Sequence, residues 1–201
     1  MTVIRWLTAL LLFCSSQAHA AYTVYLYQSG NDVIAQGQGS VNTAALTFAI
    51  QATTSPLSWS GNGLLYFGGT PGGSFDVFSG VTGPTSYGTR LGAVAATSST
   101  GPFLGVIGLQ SRIAVPIGYV SGTHMTSTST WTGTTLATLL ATPGTYTWTW
   151  GAGATADSFT LFVGATPPLP TGIPTLSEWS LVAISLVLGL LATRQIRRSK
   201  G

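Results

Sequence analysis

Thr145, Tyr146, Thr147, Trp148, Thr149 and Trp150 alternate hydroxyl and aromatic side chains without a break. In an extended strand successive side chains point to opposite faces, so this run collects three rings on one face and three hydroxyls on the other. A helix would scatter both sets around its circumference. The rings therefore demand a packed sheet, with Trp148 and Trp150 turned to its core beside Tyr146. Residues 158–163 alternate almost as regularly, and residues 151–157 supply a turn between, which predicts an antiparallel pair.

Residues 22–28 and 32–38 repeat the device around Ser29, Gly30 and Asn31, residues that tolerate a tight turn. Further strands are predicted over residues 46–51, 64–67, 74–79, 104–109 and 125–131. Nine short strands with Gly- and Pro-rich turns predict an all-β ectodomain over residues 21–163, an antiparallel β-sandwich of jelly-roll type. Only residues 134–141 read as a short helix.

Charge is scarce and sits at the ends. Of seven basic residues among 201, Arg5, Arg194, Arg197, Arg198 and Lys200 are terminal. Residues 21–172 keep Arg90 and Arg112 against Asp32, Asp76 and Asp157, a net charge of −1. Such a body offers no basic surface to a polyanion, so a nucleic-acid partner is excluded.

The same scarcity limits chemistry. His124 has no second histidine outside the first twenty residues, so it cannot build an imidazole metal site. Asp32 and Asp157 lie at predicted turns, where carboxylates bond nearby backbone amides, and Asp76 lies in a strand within reach of solvent, Arg90 or Arg112. No Gly-x-Ser-x-Gly elbow occurs, and the Gly-rich loop around Pro71 has no lysine for a phosphate cradle. The expectation is a protein without catalytic residue, metal or cofactor. Trp59 and Trp131 fall near predicted loops and are the rings nominated for a glycan contact.

The two ends read as addresses. Residues 1–20 combine Arg5, an apolar run of about eight residues and Ala18-His19-Ala20, the parts of a secretory signal cleaved after Ala20. Roughly 12 Å of helix cannot span a bilayer core of about 30 Å. Removal of Cys14 with this peptide would leave no cysteine, and hence no disulfide, in the mature chain. Residues 164–172 carry Pro167, Pro168 and Pro170 and read as an extended, semi-rigid linker.

The linker leads into Ile173, Pro174, Thr175, Leu176, Ser177, Glu178 and Trp179. Thr175 and Glu178 form a capping box, and Trp179 suits the membrane interface, so a helix is predicted over residues 176–193. Its length of about 27 Å matches one membrane crossing. Eight Leu, Ile or Val residues between Leu181 and Leu191 contribute roughly −2 to −5 kcal/mol to insertion. Arg194, Arg197, Arg198 and Lys200 then mark the cytoplasmic side, placing the ectodomain across the membrane.

Motif, span and basic tail in this order resemble the IPTL-CTERM variant of the PEP-CTERM sorting signals, over residues 173–201. The resemblance implies recognition by an exosortase-type sorting transpeptidase in Gram-negative bacteria that make exopolysaccharide. Asp32-Val33-Ile34-Ala35 with Gly37 and Gly39, residues 79–84, and residues 143–151 with Ala156-Asp157-Ser158 are also similar to a recurrent ectodomain of PEP-CTERM proteins, and that likeness brings no activity with it. The expectation is an exported surface or matrix protein, inserted in the inner membrane with its ectodomain in the periplasm and then sorted. Its role is structural or adhesive, with binding of exopolysaccharide as the alternative.

Overall fold

A computed structural model describes residues 21–168 and Ser185. By its internal contacts the chain divides into two compact units, Met1–Pro167 and Pro168–Gly201. Among the described residues no helix is long and apolar enough to cross a membrane. The predicted signal at residues 1–20 and the predicted span at residues 176–193 lie outside them, Ser185 apart.

Thirteen strands make up the described body. In chain order they are β1 (Ala21–Ser29), β2 (Asp32–Gly39), β3 (Thr47–Thr54), β4 (Leu57–Trp59), β5 (Leu64–Phe67), β6 (Gly73–Ser79) and β7 (Val94–Ala95). There follow β8 (Ser98–Thr100), β9 (Leu104–Ile107), β10 (Arg112–Pro116), β11 (Met125–Trp131), β12 (Gly144–Trp150) and β13 (Asp157–Val163). Six form one sheet in the order β12-β13-β1-β2-β11-β8, and seven form the other in the order β3-β6-β10-β9-β5-β4-β7. The fold is thus all-β and two-sheeted, with more strands than the eight of a jelly roll.

The six-stranded sheet is built from the alternating segments. Ser29 pairs with Asp32 across a two-residue loop in which Gly30 takes φ 59°, which closes the β1–β2 hairpin. Trp150 pairs with Asp157, and β12 runs antiparallel to β13 as its pattern predicts. The antiparallel expectation fails at one seam, because β1 and β13 are parallel. Each belongs to its own hairpin, so no short turn forces them to oppose. Their registers, Tyr22 with Phe159, Val24 with Leu161 and Leu26 with Val163, bring six apolar side chains to the same face.

Between the sheets those side chains meet Leu65, Phe67, Leu104, Val106, Ile113 and Val115 from the other layer in one core. Tyr22 stacks on Phe159 at 6.0 Å and tilts against Phe67 at 6.1 Å, while Trp148 packs edge-on to Phe159 at 5.9 Å. Tyr66, Phe75 and Phe103 gather instead on the opposite face of the seven-stranded sheet, Phe75 and Phe103 stacked at 4.1 Å. Burial of a polar group calls for a partner, and the hydroxyls around Tyr87 have them. Ser58 Oγ lies 2.7 Å from the Tyr87 hydroxyl, which donates to the Leu64 carbonyl at 2.8 Å.

Residues 134–141 are not a helix. They form turns in which the Leu139 N–H reaches the Thr135 carbonyl, and Leu140 then adopts φ 48°, which ends any helical continuation.

Candidate functional site

Because β1, β11, β12 and β13 bury every second residue, the intervening residues populate the outer face of the six-stranded sheet. Strand registers arrange them in rows. Thr147, Thr160, Thr23, Gln38 and Thr126 cross five strands side by side. Next to them run Thr145, Phe162, Tyr25, Gln36, Thr128 and Thr100. None of them is buried; Thr23, Tyr25, Thr128, Thr160 and Phe162 are half-buried and the others exposed. Neighbours in a row stand roughly 4.8 Å apart, and rows about 7 Å apart along the strands.

In the middle of this lattice the rings of Tyr25 and Phe162 stack with centroids 5.1 Å apart and planes 14° from parallel. The Tyr27 hydroxyl donates to Gln36 Oε1 at 3.3 Å, and the Thr147 and Thr160 hydroxyls lie 3.3 Å apart. No carboxylate, amine, guanidinium or imidazole belongs to the two rows. The face thus offers aromatic stacking and uncharged hydrogen bonding, which is chemistry for holding a neutral hydroxylated chain. A groove of about 360 Å³, lined by Thr70, Ser74, Ser99, Thr100 and Phe103 among others, also has no charged group in its walls.

The two tryptophans nominated from the sequence do not belong to this face. Trp131 is wholly buried, and its Nε1 donates to the Val94 carbonyl at 3.0 Å, so it presents no platform to a ligand. The reason is parity: Trp131 shares its face of β11 with the buried Met125, Ser127 and Ser129. Trp59, at the end of β4 in the other sheet, is half-buried, and its Nε1 is shut away from solvent with no hydrogen-bond partner. A shared exposed surface made of these two rings therefore does not exist. Tyr25 and Phe162 were legible only as the wet-side members of alternating strands.

The charged residues are occupied locally. Asp32 Oδ1 accepts from the Gly133 N–H at 2.8 Å, and the Asp157 carboxylate accepts from the N–H groups of Asn42 and Ser158. Asp76 Oδ2 accepts from the Gly118 N–H at 3.2 Å. Arg90 donates to the carbonyls of Gly92 and Thr138, and Arg112 to Gln110. His124 is exposed just before β11. Ala18, Ala20, residues 173–179 and the basic residues Arg194, Arg197, Arg198 and Lys200 lie outside the described residues.

Residues 171–198 match the family model of the IPTL-CTERM motif, a C-terminal sorting signal related to PEP-CTERM. The match begins two residues before Ile173 and includes Arg194, Arg197 and Arg198. It supports a secreted protein that carries a C-terminal sorting signal. No curated protein and no solved structure matches the chain.

Proposed function

We propose that this chain is exported, held in the membrane by the helix predicted over residues 176–193, and processed there by an exosortase-type transpeptidase. Its β-sandwich then serves at the cell surface or in the extracellular matrix as a structural or adhesive part without catalysis. The match of residues 171–198 to the sorting motif carries this reading. The mass of the mature protein from cells with and without the sorting enzyme tests it. The expected product lacks Arg197 and Arg198 only when the enzyme is present; an intact basic tail in the surface pool would overturn the proposal.

A second reading, binding of a neutral polysaccharide, draws support from the outer face of the six-stranded sheet. The stacked rings of Tyr25 and Phe162 lie among rows of Thr and Gln with no charge to attract or repel an ionic chain. Sugar rings stack on aromatic faces through their C–H groups and bond uncharged hydroxyls and amides through their own. Co-sedimentation with an insoluble neutral glucan should retain the protein, and Tyr25→Ala with Phe162→Ala should release it. Equal retention of the doubly substituted protein would remove this face from consideration.

A further inference from the structure

Two sheets have four edges, and among the described residues three of them are short or partly engaged. The β7 edge is two residues long and the β8 edge three. The β12 edge is engaged at one end, where Thr82 and Thr149 exchange N–H to carbonyl bonds at 2.8 Å in both directions. The fourth edge, β3, is eight residues long, and every residue on it is exposed or half-exposed. It carries no charge and no proline, and neither do residues 40–55 around it. Open sheet edges are normally guarded by lysine, proline or shortness, since their free N–H and carbonyl groups pair with any strand that arrives.

We propose that β3 pairs with β3 of a second copy of this chain, joining two seven-stranded sheets edge to edge. Identical strands bring identical charges to a two-fold interface, and an uncharged edge meets its copy without repulsion. Side chains on both faces favour the join. Ile50 and Phe48 are more than half exposed, at 53% and 54%. Ile50 stands opposite Val77 on one face, whereas Phe48 packs edge-on to Phe78, which reaches the inner core, on the other. A new strand alongside would cover both.

A register shift between Phe48 and Ile50 marks a bulge that bends the start of the strand. The regular stretch from Ile50 to Thr54 is therefore the pairing segment. A single strand edge buries less than the roughly 800 Å² per partner of a standard interface, so the pairing is weak in dilute solution and fills where copies are crowded on one surface. It extends the structural reading above but does not depend on the sorting step.

Cysteine crosslinking in the full-length chain tests the join, in a Cys14→Ser background that leaves the introduced thiol alone. Under mild oxidation in membranes, Ala52→Cys at the centre of an antiparallel pairing of residues 50–54, or Gln51→Cys combined with Thr53→Cys, which that register sets opposite each other, should give a disulfide-linked dimer, and Ser98→Cys on the β8 edge should not. Adding Ile50→Lys, which puts a charged guard on the exposed edge, should cut the dimer by about tenfold while tryptophan fluorescence stays native. Having two crosslinking positions guards against one that disturbs folding. Equal crosslinking from Ser98→Cys, a dimer indifferent to Ile50→Lys, or no dimer from natively fluorescent protein would each overturn the proposal.

Discussion

At Gly37 the absence of a side chain is a packing requirement. A Cβ there would come within 2.7 Å of the Tyr22 ring and 2.8 Å of the Phe67 ring, both fully buried. Gly30 is the opposite case, needed for φ 59° with nothing within 4 Å of its would-be Cβ. Gly37→Ala should therefore overpack the middle of the core and cost about 1–3 kcal/mol. The measurement is the shift of the urea midpoint at unchanged slope; a midpoint within error of the parent would show that the two rings have room to move. Trp148 and Trp150 belong to the same scale, since their indole N–H groups are matched to the carbonyls of Pro84 at 2.8 Å and Asn42 at 2.7 Å. Each buries a large ring without stranding its one polar atom.

Among the elements, alternation in sequence was readable wherever one face of a strand is wet. β5 and β11 coincide with their predicted ranges, and the hairpins β1–β2 and β12–β13 were evident from turn residues between two alternating runs. β10 escaped because Ile113, Ala114 and Val115 are buried on both faces between β6 and β9, which leaves no period to detect. The turn before it is masked too: Ser111 adopts φ 54°, a conformation usually marked by glycine. β4, β7 and β8 have two or three residues each, too few for any pattern. Trp131 lies inside the predicted range of β11, and although a loop follows it, counting by twos from Met125 leads its ring to the core. The outer lattice could not be read at all without registers, because Thr147, Thr160, Thr23, Gln38 and Thr126 meet only once five strands are ordered.

For the molecule as a whole, the near absence of charge shifts the pH response onto tyrosines. Burial raises the hydroxyl of Tyr87 above its ordinary value of 10.0, and the opposing bonds from Ser58 and the backbone are weaker. Burial likewise raises Tyr22 and Tyr66. In the unfolded chain these groups ionise near 10, whereas in the folded chain they stay protonated beyond it. The unfolded state therefore releases protons first as alkali is added, and folding stability falls with rising pH. Below about pH 10 both states hold the proton and the contribution is fully present. Each such hydroxyl then costs about 1.4 kcal/mol per pH unit until it ionises in the folded state. The melting temperature should be set by these groups only above pH 10, dropping steeply there as three buried hydroxyls act together. Thermal unfolding followed by circular dichroism across this range checks the expectation, and Tyr87→Phe should shallow the alkaline slope by about a quarter, since burial raises Tyr119 as well and one titrating group of four is removed. A melting temperature that stays level well above pH 10 would mean that these rings reach solvent in the folded protein, and that the core between the two sheets is looser than its packing indicates.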